Sequence, residues 1–178
     1  MRIIVLGGCG FIGSNIATRL KEKYPDYYLC VLDNLVRKGS ELNVERLKKL
    51  GIKYINGDIR NIDDLKKLEA YDLFIDTSAE ASALAGLVDS PKYVLDNNLI
   101  GTINCLEIAR EMNAKFIFLS SSRVYPVKDL EDCFFKEFDT RYLWTDGQNV
   151  KGVSSEGVTE NFSMNGSRTM YGTSKLSS

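Results

Sequence analysis

Short apolar runs alternate along the chain with longer stretches of helical spacing. Residues 2–6 form a β-rich run. Residues 11–23 then place Phe11, Ile12, Ile16 and Leu20 on or near one helical face. A second strand is predicted at 28–32 (Tyr-Leu-Cys-Val-Leu). Ser40 is a plausible cap for a helix over about 41–50, which Gly51 ends. A third strand follows at 52–56, and Asn61 caps a short helix reaching about Ala70. The fourth strand is 72–76 (Asp-Leu-Phe-Ile-Asp). A long helix over about 91–112 carries Pro91 in its first turn, and 115–119 (Lys-Phe-Ile-Phe-Leu) is the fifth strand. Continuous apolar strands separated by helices indicate an α/β protein with a parallel sheet covered on both faces. Right-handed crossovers make a doubly wound fold the natural solution, with 1–178 as one domain. Residues 126–168 differ: they are polar and read as a long loop, a feature usually tied to function or disorder.

Composition adds exclusions. The 178 residues are 44% hydrophobic and 26% charged, enough for a sizeable core. A formal net charge of -1 leaves no basic excess for broad nucleic-acid binding. Histidine is absent, which excludes Ser-His-Asp and Cys-His catalysis, imidazole zinc sites and a histidine pH switch. Cys9, Cys30, Cys105 and Cys133 are scattered with no Cys-x-x-Cys pair, so reduced thiols in a cytoplasmic protein are expected and no metal site is. No apolar run approaches the length of a membrane span, and the apolar start stops at Gly7, too early for a signal-peptide core.

The first chemical signal is Gly7-Gly8-Cys9-Gly10-Phe11-Ile12-Gly13, between the first strand and the first helix. Gly7, Gly10 and Gly13 have Gly-x-x-Gly-x-x-Gly spacing. Small residues there let backbone approach a pyrophosphate, and the helix N-terminus offers free N–H groups. An acid, Asp33, stands 20 residues past Gly13, at the end of the second strand. Its carboxylate can accept the adenosine-ribose hydroxyls and would repel a 2'-phosphate, favouring NAD over NADP. Arg37 and Lys38 pull the other way, because a nearby cation accommodates a phosphate. Asp58-Ile59, after the third strand, could flank the adenine. The alternatives are a ligand-free turn for the glycines and turn caps for Asp33 and Asp58.

The second signal is Tyr171-x-x-x-Lys175, a pair that shares one face of a helix. A free phenol has a pKa of about 10 and is a poor base at neutral pH. A nearby cation favours the phenolate, so Tyr171 beside Lys175 could take a proton from a sugar hydroxyl while hydride leaves the same carbon. Ser120-Ser121-Ser122 follows the fifth strand, where strand ends line a ligand crevice, and a hydroxyl there can hydrogen-bond a reacting oxygen. Spacing alone also allows a chance surface pair and a turn-capping serine.

Taken together, Gly7 to Gly13, Asp33-Asn34-Leu35, Ser121 with Tyr125, and Tyr171-x-x-x-Lys175 resemble the extended short-chain dehydrogenase/reductases, the NAD-dependent epimerases and dehydratases of nucleotide sugars. The stretches "DNLVRKGSELNVERL", "NNLIGTINCLEIAR", "FLSSSRVYP" and "GVTENFSMNGSRTMYGTSKL" are similar to the CDP-paratose (CDP-tyvelose) 2-epimerase-like group. In that group a tightly bound NAD oxidises C2 of a CDP-linked dideoxysugar and returns hydride to the opposite face. The resemblance implies Ser121, Tyr171 and Lys175 as catalytic residues. It implies Gly7, Gly10, Phe11, Ile12, Gly13, Asp33, Asn34, Arg37, Asp58, Ile59, Ser78, Ala79 and Lys175 around the cofactor. Ser122, Arg123, Arg141 and Trp144 are candidate substrate contacts, the last two on the 126–168 insert. A homodimer through helix 91–112 is also implied. Dehydratases of the superfamily usually carry Asp-Glu after the catalytic Ser/Thr, whereas Ser122-Arg123 stand here. Asp76 stands where the group tends to have histidine.

Family enzymes run to about twice this length, so the later strands and the smaller substrate-binding region are expected to be missing. The fifth strand would then be an exposed apolar edge and the Tyr-Lys helix would be short. The expected outcome is a complete cofactor half beside a compromised active site. The competing readings are a related C4 epimerase or reductase, and a non-catalytic dinucleotide-binding module.

Overall fold

The computed structural model describes residues 1–88 and 90–178. Five parallel strands form the main sheet: β1 (Arg2–Leu6), β2 (Tyr28–Asp33), β3 (Lys53–Asn56), β4 (Leu73–Asp76) and β5 (Lys115–Phe118), in the order β3-β2-β1-β4-β5. The direction of winding reverses at β1. Its last residue, Leu6, is in register with Leu32 of β2 and Asp76 of β4, so the loops leaving β1, β2 and β4 open at one edge.

Strand alternation sorts the core into two layers. Ile3, Val5, Leu29 and Val31 pack with Ala17 of α1 (Phe11–Lys23) and with Val44 and Leu47 of α2 (Glu41–Lys49). Ile4, Leu6, Cys30, Leu32 and Phe74 face the other way, against Leu65 of α3 (Ile62–Lys66) and Cys105 and Ile108 further along the chain. The doubly wound sheet is therefore as the apolar runs foretell. All four cysteines are buried and free. No helix among the described residues is long and apolar enough to cross a membrane.

Three local expectations are corrected. Ser40 occupies the cap position of α2, but its side chain makes no capping bond; its backbone is already helical, while Glu41 accepts from the Gly39 N–H. The helix over 91–112 is not continuous: α4 (Pro91–Leu95) passes through a π-helical turn, Asp96–Ile100, into α5 (Gly101–Glu111). The insert 126–168 is not structureless. It holds α6 (Val127–Glu131), the hairpin β6 (Phe135–Phe138)–β7 (Arg141–Trp144) and the short hairpin β8 (Val153–Ser154)–β9 (Gly157–Val158). Buried Phe162 anchors it, stacking edge-on against Tyr125. The final helix, α7 (Met170–Ser177), carries the Tyr-Lys pair.

On β5, Ile117 is half exposed, as an uncovered edge strand requires. Phe74, on β4, is completely buried. Phe74→Ala is expected to cost about 3–5 kcal/mol in urea denaturation, and Ile117→Ala less than about 1.5 kcal/mol.

Candidate functional site

The turn from β1 to α1 is built of backbone packed on backbone. Gly7 has φ +66°, a left-handed conformation, and a Cβ there would lie 2.7 Å from the Ser78 Cα. A Cβ on Gly13 would meet the Gly7 carbonyl at 2.5 Å and the Thr77 hydroxyl at 2.6 Å. The Gly10 N–H donates to the Gly7 carbonyl, closing the turn. Gly10 then caps α1, whose first N–H groups have no intrahelical acceptors. Phe11 and Ile12 are exposed beside them. Free amides, a helix N-terminus and no intervening side chain fit a dinucleotide pyrophosphate.

Asp33 does two jobs. It closes β2 among the buried residues, and its carboxylate accepts from the Cys9 N–H (3.0 Å) and the Leu35 N–H (2.8 Å). The turn-cap alternative is thus realised, and the acid also ties the glycine loop to β2. Leu35 takes a left-handed φ of +56° to reach it. Asn34 donates to Asp58, which also pairs with Arg60. Arg60 holds the Asp58 carboxyl well down, at about 2. Arg37 and Phe11 line the same cleft between α1 and α2. Ile59 is corrected in part: its side chain is core, filling the space where a Gly101 Cβ would sit. Only its backbone is left for an adenine.

The region around α7 is organised by a residue that the sequence pattern did not mark. Asn98, fully buried in the π-helical turn, accepts from the Glu80 N–H and donates to the Glu80 carbonyl and the Ser174 hydroxyl. It joins the loop after β4, the long helix and α7. A signal existed: an amide at a buried helical position needs polar partners, and π turns collect at functional sites. Below it, Asp76 is completely buried, accepting from the Ser78 N–H and hydroxyl and facing the Thr102 hydroxyl. Burial pushes its carboxyl above the usual range. Ser78 and Ala79 are half-buried in the loop beyond, with Ser78 against Gly7.

Lys175 is also buried, its ammonium 4.1 Å from the centre of the Phe118 ring. Burial lowers its pKa, and the Asp76 charge opposes that. Tyr171 is half-buried one turn earlier. The helix is seated on the turn that follows β5: a Cβ on Gly172 would lie 2.2 Å from the Arg123 carbonyl, and Arg168 donates to the Val124 carbonyl. Ser121 begins that turn and accepts from the Arg123 N–H at 3.1 Å. Ser121, Tyr171 and Lys175 thus belong to one packed unit. Ser122 and Arg123 are exposed on it. Arg141 is exposed and Trp144 half-buried on the β6–β7 hairpin. Among the described residues neither side chain bonds to this unit, so the structure does not bring them to it.

Asp58 and Asp76 have opposite linkage to folding. The depressed Asp58 stabilises the fold above its ordinary value of 3.8, and that contribution is lost as pH falls towards 2. The raised Asp76 binds its proton more tightly in the fold, so it favours folding at low pH and opposes it as pH rises. Urea unfolding across pH 2–8 is expected to lose acid sensitivity near pH 2–4 in Asp58→Asn. Asp76→Asn is expected to lose stability at low pH relative to its stability at high pH.

Comparison with known proteins agrees with this geometry. Residues 3–178 match the NAD dependent epimerase/dehydratase family. The CDP-paratose 2-epimerase of Salmonella typhi is 36% identical over 163 residues, covering 88% of this chain and 46% of that protein. The UDP-Glc/GlcNAc 4-epimerase of Campylobacter jejuni superposes with a TM-score of 0.74 at 26% identity, over 99% of this chain and 46% of that one. The UDP-glucose 4-epimerase of Bifidobacterium longum, solved with NAD+ and UDP, gives 0.72 at 26% identity, over 99% and 46%. The chain spans about half the length of these relatives. With the glycine turn, the acid at the end of β2 and the packed Tyr-Lys helix in place, NAD is the cofactor that the site fits, and the chain belongs to the NAD dependent epimerase/dehydratase family.

Proposed function

We propose that this chain carries the cofactor-binding and proton-transfer part of a nucleotide-sugar epimerase, of the kind that inverts C2 of a CDP-linked dideoxysugar through a transient keto sugar. The observation that carries the reading is the seating of Lys175, buried over Phe118 on a helix packed against the Ser121 turn. Bound NAD supplies hydride uptake and return. The glycine turn and the start of α1 hold the pyrophosphate, and Asp33 and Asn34 face the adenosine ribose. Ser121 hydrogen-bonds the reacting oxygen. Tyr171 takes the hydroxyl proton and gives it back, with the Lys175 charge favouring its phenolate. Exposed Ser122 and Arg123, in place of an acid pair, favour epimerisation over dehydration. The likeness to the Salmonella protein supports the CDP-sugar assignment.

The same reading has the chain work in the cytoplasm as a homodimer. Tyr93, Ile100, Ile103 and Leu106 leave apolar surface exposed along α4, the π turn and α5, which supports pairing through this stretch.

Incubation with NAD and CDP-paratose, followed by NMR of the sugar, tests the reaction. Tyr171→Phe is expected to lower turnover at least about 100-fold, the scale of a general acid–base group, while NAD affinity stays within about three-fold. Lys175→Met is expected to weaken both. Wild-type turnover in Tyr171→Phe would sink the assignment. NAD binding with no turnover of CDP-, UDP- or dTDP-sugars would instead make the chain a binding module.

A further inference from the structure

Among the described residues, neither edge of the β6–β7 hairpin is hydrogen-bonded to another strand. Phe135, Phe138, Tyr142 and Leu143 are exposed on it, and a lone two-stranded hairpin is marginally stable in water. Its register is Phe135 opposite Trp144, Lys136 opposite Leu143, Glu137 opposite Tyr142 and Phe138 opposite Arg141. The Thr145 N–H donates to the Phe134 carbonyl, which fixes the alternation of bonded and non-bonded pairs. Lys136–Leu143 and Phe138–Arg141 are the bonded pairs inside the hairpin. The backbone groups of Phe135 and Glu137 on β6, and of Tyr142 and Trp144 on β7, therefore point outward. The two edges differ in what they offer a second copy. Antiparallel pairing of β6 with itself, centred on either inner residue, sets Lys136 against Lys136 or Glu137 against Glu137, and like charges directly opposite are destabilising. That edge is guarded. On β7 no such clash arises: centred on Leu143, Leu143 meets Leu143, Tyr142 meets Trp144 and Arg141 meets Thr145.

We propose that β7 is an interaction edge for a second copy of this chain: the two β7 strands pair antiparallel about a two-fold axis at Leu143, giving one continuous sheet in the order β6-β7-β7-β6. This register is the one that engages every outward backbone group of β7, because Tyr142 of each copy faces Trp144 of the other as a bonded pair. The side-chain pairs are of the kinds that stabilise sheets, aromatic on aromatic and aliphatic on aliphatic. Phe135, Tyr142 and Trp144 share one face of the hairpin, with Phe135 already edge-on to Tyr142, so two copies present one extended aromatic face. The interface is isologous, as a two-fold pairing requires, and it lies on a different element from the helical pairing of α4 and α5. Main-chain hydrogen bonds supply the affinity and the pairs across the axis supply the register. A strand this short gives a small interface, so association in the micromolar range is expected.

Sedimentation equilibrium of the purified chain, without cofactor or substrate, tests this. Leu143→Lys and Leu143→Glu each set like charges together on the axis, and each is expected to halve the limiting mass of the wild-type assembly. An equal mixture of the two variants is expected to restore it, because lysine then faces glutamate. Reading mass relative to wild type keeps the result independent of any pairing through α4 and α5. Leu143 is exposed, and circular dichroism of each variant confirms that the fold is retained. Leu143→Cys gives a second measurement. The native cysteines are all buried, and a non-bonded antiparallel pair holds its Cα atoms about 4.5 Å apart, within disulfide range. With oxidised glutathione, Leu143→Cys is expected to form a covalent dimer at least about ten-fold faster than Tyr142→Cys, whose thiol faces Trp144. A wild-type chain that is monomeric up to about 100 μM overturns the proposal, whether the edge is bare or belongs to some other occupant. Unchanged mass in both charge variants, failure of their mixture to reassociate, or equal cross-linking at Leu143→Cys and Tyr142→Cys overturns it too.

Discussion

Everything at the cofactor end depends on the absence of side-chain volume where β1 turns into α1. At Gly7 and Gly13 the neighbouring backbone lies closer than any Cβ permits, and Gly8 is equally crowded by Val31. This close approach lets α1 begin directly above the sheet edge, with its free N–H groups aimed out of the turn. It also lets the loop after β4 settle against Gly7, where Thr77 donates to the Leu6 carbonyl. The Asp33 carboxylate completes the arrangement from the other side by accepting from Cys9. Loops from three strands are thus pinned to each other before any ligand arrives, which is preorganisation in the physical sense: little entropy remains to be lost on binding.

The end that carries α7 is held largely by polar contacts, with one close backbone approach at Gly172. Asn98 spends its whole amide on Glu80 and Ser174, and the π turn is the local distortion that points it there. The Thr102 hydroxyl, one turn further on, bonds the Asn98 carbonyl that the distortion frees and lies near Asp76. A short α7 depends on such tertiary contacts, because isolated helices of eight residues are not stable in water. Gly172 on the Arg123 carbonyl, Arg168 on the Val124 carbonyl and Ser174 on Asn98 supply them.

The sequence made the sheet legible because its central strands β1, β2 and β4 are apolar runs buried on both faces, a pattern that has few other interpretations. The Gly-x-x-Gly-x-x-Gly turn and the Tyr-x-x-x-Lys pair were legible for a similar reason: spacing alone places their residues on one turn or one face. The π turn was not legible, since Asn-Asn-Leu-Ile fits an α-helix equally well until the partners of Asn98 are known. The same holds for Ser40, a good cap by type whose side chain makes no capping bond because its backbone is already helical. The insert misled because its polar composition resembles a loop, whereas antiparallel pairing of Phe135–Phe138 with Arg141–Trp144 needs little burial. Arg141 and Trp144 were singled out as members of that insert, and nothing local could say that their hairpin pairs chiefly with itself.

Asp76 stands where the resembled group tends to have a histidine, and its neighbours supply the partners that a buried carboxyl needs. An ionised carboxylate with no solvent contact costs several kcal/mol unless it is bonded and faced by an opposite charge. Ser78 gives it two donors, Thr102 lies within reach, and Lys175 provides the opposing charge. The dependence runs both ways. Lys175 is itself withdrawn from water, with the Phe118 ring as its nearest face, and burial alone would push it towards the neutral amine. A neutral lysine could not favour a phenolate at Tyr171. An ionised Asp76 opposes that loss, while the same burial pushes Asp76 towards its neutral acid, so the two groups are linked between the end of β4 and α7. The Asp33 carboxylate ties down the glycine loop and the Asp76 carboxyl ties down the loop after β4, and both stand at the last positions of the parallel strands that flank β1.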